Sequence, residues 1–429
     1  MRTVVGETVQ PCPECGAEIR VDSRFTTWCA ACDWNVDPAR SEEKPGRLAG
    51  ARRALARRHG EKLLAEVMAG GTLRARRDLS SVLAYTVALV VHGMTLALAA
   101  GGIWFVVRGW GGLWMVPGVF LLALAWSLRP RSPRLPEDVP LLRRADAPAL
   151  FALVDEVARE AGTRGVDVIA VDAEFNASVM TYGVRGRRLL RLGVPLWETL
   201  GPRQRIALLG HELGHYGNGD TRHGAVVGTA YRSLTTWHFY FSPTPNPTTA
   251  MQMLINLACL VPCWLVQGVL MLLDRLTLRA TQRAEYLADG MAARAGSTVA
   301  AVELMDWLLV ADSAATTLRR EVNNARVGGP RAARKAEDPA DGLWERLTAH
   351  MASIPDHERE RQRRAGALRG HSVDTTHPPT HLRRACLLVG PPVPAAVGID
   401  DDRERRITAE LTDARGKVAR RILRDGFEG

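Results

Sequence analysis

The sequence predicts a mainly α-helical integral membrane protein with a small β-sheet and an N-terminal zinc ribbon. Three observations support this class. Residues 81–107 and 233–273 contain no Asp, Glu, Lys or Arg, and each stretch is long enough to form a membrane-spanning helix. Two CxxC pairs stand near the N-terminus, and an HExxH motif occupies residues 211–215. With 429 residues, the chain has room for two or three domains.

The net charge of +10 indicates an anionic partner, either a nucleic acid or the anionic surface of a membrane. The long apolar stretches favour the membrane. Because residues 1–40 are polar and contain cysteines, we expect no cleavable signal peptide. Thiolate metal ligands persist in a reducing compartment, so we expect the N-terminus to lie in the cytosol.

Four of the seven cysteines predict a metal site: Cys12, Cys15, Cys29 and Cys32. Each CxxC pair supplies two thiolates, and two pairs complete a tetrahedral structural zinc site. The 13-residue spacer between the pairs is slightly shorter than in most zinc ribbons. The ribbon either recruits a protein or nucleic acid, or is a small fold that zinc holds together. The sequence does not identify a partner for it.

Residues 41–80 are helical in composition and rich in arginine. Such a segment either binds nucleic acid or lies beside a membrane and faces anionic lipid, and its position before an apolar stretch favours the lipid. Residues 81–128 then predict a transmembrane hairpin, for which a buried hairpin of a soluble protein is the alternative. Arginines flank both outer ends of this hairpin, so both flanking segments are expected in the cytosol of a plasma-membrane protein.

From residue 141 the chain resembles a soluble domain. An amphipathic pattern predicts a helix at 148–162, and strands are predicted at 166–171 and 188–192. A strand pair that leads into a metal-bearing helix is typical of zinc peptidases, in which an edge strand can pair with an extended substrate. Asn176, followed by Ala177, either hydrogen-bonds substrate backbone or makes a turn.

The HELGH motif places His211 and His215 on one face of a helix, where both imidazoles can bind one metal ion. Glu212 lies beside them and can act on a water molecule. The alternative is a surface helix that happens to carry two histidines. Asp220 either orients a histidine ligand or belongs to an ordinary helix C-cap.

A second hydrophobic hairpin is predicted at residues 222–275. After it, Glu285 and Asp289 lie four residues apart on one helical face. A zinc site with two histidines needs a third protein ligand, and Glu285 fits that requirement with Asp289 as its supporting partner. A solvent-facing acidic pair is the alternative.

The C-terminal part contains two segments without a clear apolar period. Residues 322–342 predict a loop, and residues 355–376 are similarly polar and basic. His377 follows and precedes two prolines that hold the backbone extended, so its side chain can donate a hydrogen bond at a fixed angle. Residues 403–424 predict an amphipathic helix that packs on the domain.

Over roughly residues 141–415 the chain resembles the HtpX-type membrane zinc metallopeptidases, relatives of the CAAX prenyl proteases. The motifs stand in the family's order: Asn176-Ala177 in a strand region, HELGH at 211–215 with Asp220 behind it, a hydrophobic hairpin, RAEYLAD at 283–289, and His377-Pro378-Pro379 with a downstream Arg383. The N-terminal CxxC pairs lie outside the family core, and residues 355–376 are more arginine-rich than the family leads us to expect.

The resemblance implies a zincin-like metalloprotease domain in which His211, His215 and Glu285 bind zinc. It also implies that Glu212 is the catalytic base. His377 is expected to assist at the substrate carbonyl, and Arg383 to support the site.

We therefore expect a zinc-dependent metalloendopeptidase that hydrolyses membrane or misfolded proteins at the cytosolic face, with one catalytic and one structural Zn²⁺. Its expected partners are a protein or peptide substrate and the lipid membrane, not nucleic acid. The alternative is a non-catalytic membrane adaptor that binds a protein or nucleic-acid partner through the ribbon. The expected organisation is a zinc ribbon (1–40), a basic juxtamembrane segment (41–80), a transmembrane hairpin (81–128), a first protease segment (141–221), a second hairpin (222–275) and a second protease segment (276–429).

Overall fold

The computed structural model describes residues 8–38, 47–70, 79–183, 185–217, 220–327, 338, 340–370 and 378–427, without the side chains of 47–53, 220–223 and 225. Within these ranges the chain is mainly helical and carries a small sheet, which confirms the coarse prediction of the fold. The strands are β1 Thr8–Pro11, β2 Glu18–Val21, β3 Leu141–Leu142, β4 Val168–Asp172, β5 Ala177–Tyr182 and β6 Arg187–Gly193.

The helices fall into an N-terminal and membrane-related group and a group that builds the globular domain. The first group comprises α1 Arg47–Met68, α2 Leu79–Arg108, α3 Met115–Leu128, α7 Asp220–Phe241 and α8 Ala250–Gly296. The second comprises α4 Pro148–Glu160, α5 Val194–Thr199, α6 Pro202–Gly217, α9 Thr298–Leu309, α10 Ala311–Val327, α11 Leu343–Ala352, α12 Asp356–Arg369, α13 Thr380–Leu387 and α14 Asp401–Asp425.

The larger sheet has the strand order β3-β4-β6-β5. β4 and β6 pair in parallel, whereas β3 and β5 pair antiparallel to their neighbours. Every residue of β4 is buried, as is typical of a central strand covered on both faces. The sequence predicted β4 and β6 as a pair, and the structure adds β5 beyond β6 as the edge strand beside helix α6.

Helices α6 and α8 approach closely because glycines line their contact. A Cβ atom on Gly210 would lie 3.0 Å from the Met291 carbonyl oxygen, and one on Gly214 would lie 3.1 Å from the Ala288 Cα. Larger side chains would therefore push the two backbones apart. This close packing places the HELGH side chains of α6 beside residues 285–289 of α8.

Helices α2, α3, α7 and α8 share a separate apolar cluster that includes Ala88, Leu128 and Trp237. Only part of their apolar surface is used in this packing. Among the described residues, α2 and α8 are each long and apolar enough to cross a membrane, and 22% and 11% of their most apolar windows are buried. α3 has 14 residues, about 21 Å of helix, because residues 109–114 form a turn that includes Gly111 at a φ of +74°.

Helix α8 joins two regions that the sequence analysis separated. Its 47 residues run from Ala250 through the expected boundary at 275/276 to Gly296, so the apolar part (residues 250–273) and Glu285 lie on one continuous helix. Pro262 lies inside this helix. The capping box of Thr249 and Gln252 fixes its start.

The loop prediction for 322–342 was wrong for its first six residues, which continue α10 to Val327; residues 328–337 and 339 lie outside the described residues. The polar and basic segment at 355–376, which has no clear apolar period, contains helix α12. Its arginines pair with Glu358 and Glu360 three or four positions away, which stabilises a helix without an apolar stripe. The predicted amphipathic C-terminal helix is confirmed by α14, which buries Ile407, Leu411, Val418 and Ile422.

Candidate active site

Helix α6 presents the HELGH motif toward the interior. The helix begins at Pro202, a residue suited to a first helical turn. The His211 and His215 ring centroids lie 4.9 Å apart, as expected for side chains four residues apart. Glu212 is on the same turn and is also buried. The motif therefore faces the protein interior, unlike the surface helix considered as its alternative.

Glu285 from α8 meets both histidines. Its Oε2 atom lies 3.5 Å from His211 Nε2, and its Oε1 atom lies 3.7 Å from His215 Nε2. Ligand atoms of the three residues all lie within 4.8 Å of one another. Zinc bonds of about 2.0–2.1 Å in tetrahedral geometry separate two donors by about 3.3 Å. The donor set and its spacing fit one zinc ion, although zinc binding itself stays a prediction.

Asp289, one turn after Glu285, holds the first histidine. Its Oδ1 atom lies 3.0 Å from His211 Nδ1, which leaves Nε2 directed at Glu285. A carboxylate at the far nitrogen of a metal-binding imidazole fixes the ring orientation and the tautomer. Arg383 donates to both oxygens of Asp289, through Nε at 2.9 Å and Nη2 at 2.6 Å. The Arg383 side chain is 1% exposed, so this ion pair is shielded from water.

The electrostatics of the site favour a cation. Burial opposes protonation of His211, but its hydrogen bonds to Asp289 and Glu285 outweigh burial and raise the pKa of His211 to about 10. Burial opposes ionisation of Asp289 and by itself would raise its pKa. The charge and hydrogen bonds of Arg383 have the larger effect and lower the pKa of Asp289 below its ordinary value. The carboxylates of Asp289 and Glu285 thus stabilise the protonated form of His211, whereas the charge of the neighbouring Arg383 guanidinium opposes it.

Two predicted site residues cannot be placed. His377 lies outside the described residues, and the side chain of Asp220, the first residue of α7, does as well. Arg383 was singled out from the resemblance alone. Arg383 and its partner Asp289 are 94 residues apart in the chain, and no local pattern in the sequence indicates that pairing.

Asn176 and Ala177 lie at the start of the edge strand β5. The Asn176 side-chain oxygen accepts a hydrogen bond from the Ala177 amide at 2.9 Å, as a turn residue would. The Gly193 amide donates to the Asn176 carbonyl at 3.0 Å. Since hydrogen-bonded positions alternate in an antiparallel pair, the peptide groups of Val179 and Thr181 point away from β6.

Sequence analysis missed Tyr216, the residue after the second histidine. Its hydroxyl donates to the Met180 carbonyl of β5 at 2.7 Å, so it ties the metal-ligand helix to the edge strand. The ring is buried, and the Arg188 guanidinium lies 4.3 Å from its centroid. From the sequence alone, an aromatic residue beside HExxH is expected to be an ordinary core residue. Only the contact of Tyr216 with β5 in the structure shows its additional role.

The four N-terminal cysteines also come together. The Cys12 and Cys32 sulfurs are 3.7 Å apart, and those of Cys15 and Cys29 are 3.6 Å apart. These separations exceed a disulfide bond and match the roughly 3.8 Å expected between thiolates around a tetrahedral zinc ion. Cys12 and Cys15 lie in the turn of the β1–β2 hairpin, and Cys29 and Cys32 follow it in the chain. The cluster supports the zinc ribbon prediction.

Comparison with known proteins gives two findings. The profile of peptidase family M48 matches residues 144–388, more than half of the chain, and excludes the ribbon and helices α1–α3. Protease HtpX homolog 1 from Sulfurisphaera tokodaii is 33% identical over 81 residues, which is 18% of this chain and 25% of that protein. The chain thus spans about a quarter of the length of this curated relative. No solved structure matches.

Proposed function

Because this chain belongs to peptidase family M48, we propose that it is a membrane-bound zinc metalloendopeptidase. It hydrolyses peptide bonds of membrane or misfolded proteins at the cytosolic face of the membrane. The observation that carries this proposal is the meeting of His211, His215 and Glu285, whose donor atoms lie within 4.8 Å of one another. Three protein donors leave a coordination position for a reactant, as catalytic zinc sites do.

Each residue of the site has a distinct part in the proposed mechanism. His211, His215 and Glu285 hold zinc, which when bound supplies a Lewis acid that polarises the scissile carbonyl and acidifies water. Glu212 takes a proton from the attacking water and passes it to the leaving amine. Asp289 fixes the His211 ring, and Arg383 keeps Asp289 ionised.

Two residues whose side chains lie outside the described part of the chain complete the proposed mechanism. His377 donates a hydrogen bond to the substrate carbonyl oxygen, where removal of one such donor typically lowers the rate by about a hundredfold or more. Asp220 orients a histidine ligand.

An extended substrate pairs with β5 in this proposal. The outward peptide groups of Val179 and Thr181 supply the donors and acceptors for an added strand. Tyr216 holds this strand at a fixed distance from the histidines. The edge strand beside the HExxH helix supports the zincin-like assignment.

The exposed apolar helices support a multi-pass membrane protein with its N-terminus and protease domain in the cytosol. Large apolar side chains on α2, α3 and α8 are more than half exposed, including Leu96, Trp104, Phe120, Leu257 and Trp264. A soluble protein would bury such residues. The arginine-rich segments that flank residues 81–128 support the cytosolic orientation.

Glu212→Gln tests the proposal. The purified, detergent-solubilised variant should retain zinc, because Glu212 is not a ligand, and should lose at least about a hundredfold in cleavage of an unstructured protein substrate. Glu345→Gln, at an exposed carboxylate, is the matched control and should cleave like wild type. An adaptor would show no cleavage that depends on Glu212, and equal activity of the Glu212→Gln variant and the wild-type protein would refute the peptidase proposal.

A further inference from the structure

The ribbon and helix α1 lie outside the family match, yet both pack against the protease domain. We call the described residues 8–38 and 47–70 the N-terminal extension. Its two parts contact helices α12 and α13, which lie on either side of residues 370–379. Helix α13 carries Arg383, the partner of Asp289 in the candidate active site.

The ribbon is held by a buried ion pair on α12. Arg361 binds Glu358 on its own helix, and its Nη1 atom donates to the Val36 carbonyl of the ribbon at 2.8 Å. Both charged residues are less than 10% exposed, and Val36 is buried as well. A carbonyl that completes the shell of a buried guanidinium is a specific contact, since loss of it leaves a buried donor without its partner.

Two further arginines of α12 extend this contact along the helix. Arg364 donates to the Ala30 carbonyl at 2.7 Å, and its guanidinium lies 5.2 Å from the Trp28 ring centroid. Arg369 pairs with the Asp37 carboxylate, which is 3% exposed. The arginine-rich sequence of α12 is therefore the docking surface for the ribbon of the same chain.

Helix α1, the second part of the N-terminal extension, packs against α8 and α13. Leu63 packs with Tyr286 and Leu382 in a small buried cluster. Gln282 of α8 donates to the Ala56 carbonyl of α1 at 3.0 Å. Tyr286 directly follows the candidate ligand Glu285, and Leu382 directly precedes Arg383. Helix α1 therefore packs on the two helices that carry these site residues.

We propose that the N-terminal extension is an intramolecular brace that positions Arg383 and, through Asp289, the zinc ligand His211. The ribbon fixes helix α12, which is linked to α13 because Arg363 of α12 and Arg384 of α13 both pair with Asp306 of α9. Helix α1 contacts α13 directly, so both parts of the extension set the place of α13 relative to α8. This inference rests on the proposed function for its catalytic consequence. It assigns Arg361, Arg364, Arg369 and Leu63 as positioning residues, and it assigns the ribbon to its own chain instead of an external partner.

Arg364→Ala combined with Arg369→Ala tests the brace in the full-length, detergent-solubilised protein. Zinc affinity at the histidine site, measured by chelator competition, should fall about tenfold, as for loss of a group that orients a ligand. Hydrogen exchange at residues 356–387 should rise, and kcat should fall while KM changes little. Arg405→Ala with Arg406→Ala removes the same charge from exposed pairs on α14 and should change none of these quantities.

A charge exchange separates positioning from loss of folding. Arg369→Asp alone should weaken zinc binding, and addition of Asp37→Arg should restore it, because the ion pair is rebuilt with reversed sign. If hydrogen exchange shows the ribbon released while zinc affinity and kcat stay at wild-type values, the brace is refuted. If wild type cleaves nothing but the zinc affinity responds as expected, the brace stands and the peptidase proposal falls.

Discussion

The two candidate metal centres of this molecule are built in opposite ways. The ribbon draws four sulfurs from the 21 residues between Cys12 and Cys32, and two of these cysteines are exposed. The site on α6 and α8 draws its donors from residues 211–285; His211 and Glu285 are buried and His215 is half-buried. Four protein ligands close a structural zinc site, whereas three leave room for a reactant. The four-cysteine cluster therefore fits a structural metal site, and the histidine site fits the catalytic metal site that we propose.

The two centres also differ in the contacts that hold their side chains in place. The ribbon is organised by backbone hydrogen bonds between residues that are close in the chain. The Cys12 amide donates to the Ala17 carbonyl at 2.7 Å, and the Cys29 amide donates to the Trp34 carbonyl at 3.0 Å. The histidine site depends instead on a buried ion pair between Asp289 and Arg383, on two different helices. The four cysteines of the ribbon are thus brought together by local backbone hydrogen bonds, whereas the histidine site is supported by an ion pair between segments that are distant in the chain.

The largest expected effect tests whether the centres are independent. We expect about two zinc ions per wild-type chain, with one remaining in His215→Ala because two donors hold zinc poorly. Cys12→Ser with Cys15→Ser should remove the other ion, and combination with His215→Ala should remove both. Metal analysis of purified protein measures these numbers. Retention of both ions in His215→Ala would contradict the histidine site.

A smaller effect tests the buried ion pair. Asp289→Ala leaves Arg383 in the interior without its carboxylate, and loss of one partner of a buried pair destabilises by about 3–5 kcal/mol. Zinc affinity at the histidine site should also fall by about 10- to 100-fold. Denaturant unfolding and chelator competition measure the two effects. Asp402→Ala, at an exposed ion pair, is the control and should change neither.

The smallest expected effect concerns the edge strand. Tyr216→Phe removes one hydrogen bond to the Met180 carbonyl, worth about 1 kcal/mol. We expect KM for an extended peptide to rise several-fold while the zinc content stays unchanged. Steady-state kinetics measure this change, and the exposed Tyr240→Phe supplies the comparison. An increase in KM accompanied by zinc loss would mean that Tyr216 supports the metal site and not the strand.

The sequence by itself determined the features whose parts are close together in the chain. Spacing alone defined the CxxC pairs and the HELGH motif, since a knuckle or one helical turn brings their side chains together. The long uncharged stretches identified the apolar helices α2 and α8. Glu285 and Asp289 were recognised as a pair on one helical face, but their sequence also fitted an exposed acidic pair.

Only the tertiary structure decided which distant groups meet. Glycines at 210 and 214 permit the close approach of α6 and α8 that brings Glu285 to the histidines. The contact of Arg383 with Asp289, the place of β5 at the sheet edge, and the docking of the ribbon on α12 are likewise set by packing. The apolar periodicity of a local segment identifies one helix or strand. Contacts between helices and strands depend instead on the close packing of all buried side chains together.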